Sequence, residues 1–122
     1  MSIVKTQGMN VGEYLLSEAE GQRSRETRVA AFTTGTAWPS GTVLGKITAT
    51  GKLTKYVSTN SDGSQVAMAV MLTDIPASAA TGDIPIVTHE RDCEVIGAIL
   101  NGGAGTDATG KSGLTAAGII VR

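Results

Sequence analysis

Aromatic side chains are scarce in this sequence of 122 residues: Tyr14, Phe32, Trp38 and Tyr56 are the four, and all lie in the first half. Buried aromatics normally supply much of a core's packing area, so this interior must rest on Val, Ile, Leu, Met and Ala. A subunit interface is the expected source of further burial. Cysteine is limited to Cys93, which excludes an internal disulfide. The lone thiol fits assembly in a reducing cytosol and is expected to be buried rather than reactive. With His89 the one histidine beside that one cysteine, the spaced Cys and His pairs of a zinc site are missing. Ten Lys and Arg against eleven Asp and Glu leave a formal net charge of −1, with no basic block. The electrostatic footprint of a nucleic-acid binder is therefore absent. No stretch approaches the roughly 20 apolar residues of a membrane-spanning helix. Lys5 is followed by no apolar run of the kind a signal peptide carries. Neither nucleic acid nor membrane is an expected partner.

The length suits one domain with a short appendage. Residues 1–27 stand apart: Glu13, Glu18, Glu20 and Glu26 mix with Arg23 and Arg25, and continuous hydrophobicity is low. Asn10 followed by Glu13 has capping-box spacing, and Val11, Tyr14, Leu15 and Glu18 recur at helical intervals. One such turn is too short to be stable alone. The reading is a flexible N-terminal arm over 1–27 that orders when docked, against the alternative of a strand or helix packed on its own domain, followed by a β domain over 28–122.

From Thr27 onward the period switches to two. A first strand ends near Phe32; Trp38-Pro39-Ser40-Gly41 is a turn; Thr42–Thr50 is β-rich, with Gly45 a bend or bulge. Thr50-Gly51 turns into Lys52–Val57, and residues 58–64 form a polar loop. Gln65–Leu72 is the best strand, apolar on both faces and so expected to be buried on both sides. Ile84–Thr88 is a further strand whose Pro85 favours an edge or a strand start. Cys93–Leu100 is another, Thr109–Ala117 a short helix weakened by Gly113, and Ile119–Val121 a closing strand. Short strands at close spacing predict a mostly-β barrel or sandwich with at most one or two short helices.

Three segments resemble chemistry. Gly105 to Ser112 matches the P-loop pattern G-x-x-x-x-G-K-[ST] letter for letter. That motif needs a buried strand before it and a full helix after it, whose N-terminus cradles phosphate. Ten residues after Ser112 leave no chain for the strands that complete such a domain, so a chance match in a chain with 16 glycines is the better reading. His89 to Glu94 packs several ligand-capable groups together; the simpler account is a charged turn between strands, with Asp92 in the bend. A nucleophilic Cys93–His89 pair lacks an orienting group. Asp62-Gly63 reads as turn chemistry, because the spaced oxygen ligands of a calcium loop are absent. No catalytic residue, cofactor or metal is expected, and the chain reads as a non-enzyme.

The ordered set Pro39–Thr48, Gly51-Lys52-Leu53, Tyr56, Ser61–Ala67, Arg91–Ala98 and Gly118–Arg122 resembles the lambda-type bacteriophage head decoration protein family. Ser17-Glu18-Ala19 and Arg23–Glu26 resemble the approach to the domain in those proteins, so the likeness covers most of 17–122. The resemblance implies a small β-clip-like domain that binds an expanded phage head as a homotrimer and cements it against internal DNA pressure. It implies the major capsid protein and the chain itself as partners. It also implies a place on the outer surface of the virion head after assembly in the host cytoplasm. Strand addition to coat-protein elements is the implied mode of fastening. Within the arm, Val4, Val11, Tyr14, Leu15, Leu16, Arg23 and Arg25 are the candidate capsid-contacting residues. One departure is the glycine-rich, shortened segment Asn101–Ala117 before the last strand. The competing class is a small β module binding a peptide or carbohydrate, which the shortage of aromatics disfavours; a P-loop nucleotide binder is the remaining alternative.

Overall fold

Alternating apolar residues in the middle of the chain close into a barrel, and the residues on either side of them build a second, smaller sheet. The computed structural model describes residues 14–18, 24–103 and 105–122. Its strands are β1 (Leu15–Glu18), β2 (Arg25–Phe32), β3 (Val43–Lys46), β4 (Leu53–Lys55), β5 (Ala67–Met71), β6 (Gly82–His89), β7 (Cys93–Val95) and β8 (Ile119–Val121). A 3-10 segment, Gly97–Gly103, and one α-helix, α1 (Ala108–Ala117), separate the last two strands. Five strands form the closed barrel in the order β2-β4-β3-β5-β6, and β1-β7-β8 form the three-stranded sheet. The expected mostly-β barrel with short helices is what the chain adopts.

The longest ladder joins β2 to β6 antiparallel, from Arg25↔His89 to Phe32↔Gly82. Against it, β5 touches β6 only at Val70↔His89 and Met71↔Thr88. Pro85 lies beyond that second ladder, so β6 there has one pairing partner and tolerates the missing N–H. The pairing of β3 with β5 shifts register between Leu44 and Gly45, the bulge that Gly45 predicts. A Cβ on Gly45 would stand 2.5 Å from the Ser64 carbonyl oxygen. Only glycine lets the 60–66 loop pass this close.

Two apolar clusters result. Inside the barrel, Phe32, Trp38, Leu44, Leu53, Ala69, Met71, Ile75 and Ile86 are buried, with the Phe32 and Trp38 rings edge to face at 5.4 Å. Outside it, Tyr14, Val43, Ala67, Val70, Cys93, Val95, Leu100, Leu114 and Ile119 fill the space between barrel, small sheet and α1. Strand β5 therefore serves both cores, as its two apolar faces predict.

The N-terminal stretch is where observation and expectation diverge. Leu15–Glu18 is extended, pairing antiparallel with β7, where the spacing suggested a helical turn; cross-strand partners about 80 positions away outweigh one turn's propensity. The boundary drawn at residue 28 falls inside β2, which begins at Arg25. The strand expected over Cys93–Leu100 stops at Val95. Asn101 adopts φ 56°, its side-chain oxygen accepts from Val43 N–H at 2.9 Å and its amide donates to the Gly105 carbonyl at 2.8 Å. Those bonds fold 97–103 into 3-10 turns instead of extending the strand.

Candidate functional site

The only buried histidine sits at the seam between barrel and small sheet. His89 ends β6 and is fully buried, stacked edge to face on Tyr14 with centroids 5.7 Å apart. The Tyr14 hydroxyl bonds His89 Nδ1, and His89 Nε2 stands 2.6 Å from Glu18 Oε2. Glu18 also accepts from Ser24 Oγ at 2.8 Å and from Nε and Nη2 along one edge of the Arg25 guanidinium, at 3.1 and 2.6 Å. The Arg25 pairing, with help from Ser24 and His89, holds the Glu18 carboxyl down at about 2 despite burial. Burial pushes the Tyr14 phenol far above its ordinary range, and it pushes the Cys93 thiol up to about 11. A thiol so placed stays protonated and unreactive, as the sequence suggested. The Tyr-His-Glu order resembles a catalytic relay, yet Tyr14 is wholly buried. Its oxygen is closed to a substrate, and the arrangement acts as a fastening of β1 onto the barrel.

A second charged group lies beside it. Glu90, 6% exposed, takes a two-pronged bond from Arg28 at 2.7 Å on each oxygen and another from Thr88 Oγ1 at 2.8 Å. Arg91 pairs with Glu26 at 2.7 Å across the same end of the barrel. Asp92 turns at φ 52°, as expected of the bend between β6 and β7. His89, however, belongs to the strand and not to the turn.

The small sheet shows its other side to solvent. Leu16 (51% exposed) and Ile120 (49%) stand out from it, with Ser17 donating to Glu94 at 2.6 Å and Arg122 to the same carboxylate at 2.6 Å. Among the described residues, strand β1 is also an edge of that sheet, the position at which backbone groups can pair with a further strand. Of the candidate contact residues, Val4, Val11 and Arg23 lie outside the described residues. Tyr14 is in the core and Leu15 packs against it; Arg25 is engaged with Glu18. Leu16 alone among those described presents a large apolar group outward.

The P-loop match dissolves on geometry. The helix begins at Ala108, after irregular chain, and Gly110 to Ser112 lie within it. Asp107 caps it, its carboxylate accepting from Gly110 N–H at 2.7 Å and from Tyr56 Oη at 2.8 Å. A carboxylate thus occupies the place that a phosphate would take, and like charge excludes the anion. Gly110 has its own steric reason: a Cβ there would meet Thr106 Oγ1 and stand 3.0 Å from Tyr56. Lys111 is exposed. Lys111→Ala is expected to leave thermal stability within about 0.5 kcal/mol of wild type; calorimetric ATP binding by the unaltered protein would reverse this reading.

Compared with known families, residues 4–120 match the family described as bacteriophage lambda head decoration protein D. The chain belongs to that family. No curated protein matches it. The match covers the barrel, β1, β7 and most of β8, and it agrees with the resemblance carried by Pro39–Thr48, Ser61–Ala67 and Arg91–Ala98. It makes this chain a head decoration protein, a structural component associated with the phage capsid. The described surface carries two exposed apolar side chains on the small sheet, Leu16 and Ile120, and a sheet edge among the described residues at β1.

Proposed function

We propose that the chain cements the head: it docks as a homotrimer on the outer surface of the expanded capsid and holds neighbouring coat subunits together against internal DNA pressure. The observation that carries this reading is the family match over residues 4–120. Two features support the mode of attachment. Strand β1 is a sheet edge, suited to strand addition by or beside a coat-protein element. Leu16 lies outward on it, with Val4 and Val11 in the sequence before it and Arg23 in the sequence after it. Docking draws on the N-terminal arm, while Tyr14 and Arg25 tie the root of that arm to the domain. Three arms per trimer would combine modest individual affinities through effective concentration.

A deletion tests the arm, provided it spares the core. Removing residues 1–20 would take away Tyr14 and β1 together, so residues 1–12 are the better choice. The shortened protein is expected to stay folded and trimeric by analytical ultracentrifugation and to fail to sediment with expanded heads. Undiminished co-sedimentation would sink the role of the arm, and a monomeric full-length protein would sink the trimer.

A further inference from the structure

Two side chains at the ends of β1, Tyr14 and Glu18, meet at a single buried ring, His89. Neutral imidazole has one acceptor and one donor, and both are used: Nδ1 accepts from the Tyr14 hydroxyl and Nε2–H donates to Glu18. In the described structure the Tyr14 hydroxyl bonds to His89 and to no other group. A proton added at Nδ1 would turn that nitrogen into a donor and leave the phenol's own hydrogen unpaired in an apolar site, where an unmet polar group is expensive.

Of the surrounding charges, Glu18 favours the added cation, but by less than burial opposes it. From β1, Glu18 is the nearest carboxylate, but Arg25 of β2 already holds both its oxygens. From the end of β6, Glu90 is matched by Arg28, and across that end Glu26 is matched by Arg91. From β7, Cys93 stays a neutral thiol, and Asp92 lies exposed in the bend. From β5, the cross-strand partner of His89 is the uncharged Val70. Protonation would therefore place two cations, Arg25 and His89, around one carboxylate beneath a buried surface.

We infer that the Tyr14–His89–Glu18 relay is an acid-sensitive latch, which holds β1 in the small sheet while His89 is neutral and lets β1 detach when His89 takes up a proton. Detachment is local because β1 is four residues long with a register shift in its one ladder. The β2–β6 ladder that carries His89 is paired from Arg25 to Phe32 and stays closed. The sign follows from burial: it is the main cause that lowers the affinity of native His89 for a proton below the ordinary 6.5, outweighing the pull of Glu18. Detached β1 leaves the ring solvated and near 6.5, so the detached form binds more protons below that pH. The latch holds above that value and weakens as pH falls through it. What this means for docking rests on the reading of the arm above; the test uses the free protein and is independent of capsid binding.

Amide hydrogen exchange of the full chain, corrected for intrinsic rates, is measured from pH 8 to 5. Opening at Leu15–Glu18 is expected to rise by up to tenfold per pH unit below roughly 6.5, levelling off where the native ring itself takes up the proton, with Val29–Phe32 unchanged. His89→Gln retains an acceptor for Tyr14 and a donor for Glu18 but cannot titrate, and it is expected to flatten the profile at the protected level. A flat wild-type profile would overturn the latch, as would an equal slope in the glutamine variant. So would β2 opening in step with β1, which would show global rather than local release. If the variant fails to fold, an NMR titration of the wild-type ring decides: a His89 that titrates at or above 6.5 with β1 still protected refutes the proposal.

Discussion

Arg28→Ala is expected to destabilise the fold by about 3 kcal/mol, read from the urea midpoint at pH 8. Breaking a buried ion pair by removing one partner typically costs about 3–5 kcal/mol, and the low end applies because the Arg28 side chain is 34% exposed. The loss comes from stranding Glu90, which is 6% exposed. In the wild type, burial pushes the Glu90 carboxyl up, but the bonds from Arg28 and Thr88 outweigh it and hold it below its ordinary value. Without Arg28 the balance reverses, and the native carboxyl binds its proton more tightly than the unfolded one. The deficit should then be largest at high pH and shrink as the pH falls through that raised value. Adding Glu90→Gln to the Arg28 variant is expected to recover much of the loss at pH 8. An identical loss at pH 8 and pH 5 would show that the charge on Glu90 is not its origin.

Tyr14→Ala should be as damaging or worse, about 3–5 kcal/mol by analogy with other large aromatic truncations. The ring is fully buried in the cluster that joins barrel, small sheet and α1, and its hydroxyl ends the His89 relay. Tyr14→Phe removes the hydroxyl alone and should cost about 1–2 kcal/mol. Leu16→Ala, two positions on and facing solvent, should change stability by less than about 0.5 kcal/mol. If thermal melts showed Tyr14→Ala to be as harmless as Leu16→Ala, the packing of β1 described above would be wrong.

That contrast between Tyr14 and Leu16 shows where sequence reasoning reaches its limit. Local patterns sufficed for β5, whose apolar residues on both faces predicted burial on both sides, and for β8, whose bounds are those expected. Gly45 as a bulge, Asp92 as a bend and α1 ending before Gly118 were also legible, because each depends on backbone preferences of nearby residues. The root of the N-terminal segment was not legible. Its helical spacing is a local signal, whereas its strand conformation is imposed by Val95, Glu94 and Cys93 across the sheet. The relay was hidden for the same reason: His89 has its partners at positions 14 and 18, and no local periodicity links them. Gly113 weakens the helix by propensity, and its packing role is not visible in the sequence. A Cβ there would stand 2.6 Å from the Ala67 carbonyl oxygen, so the glycine is what allows α1 to lie against β5.

The arrangement of the small sheet has a consequence for the order of events during synthesis. Leu15 finds its partner at Val95, and β7 in turn is flanked on its far side by Ile119–Val121. A nascent chain can close the β2–β6 ladder once His89 has emerged, but the three-stranded sheet waits for the residues of β8. Contacts so distant in sequence form slowly, since the loop between them must be ordered first. The first of the described strands to leave the ribosome is thus among the last to be set in place, and partly made chains carry an unpaired edge until β7 and β8 have been translated.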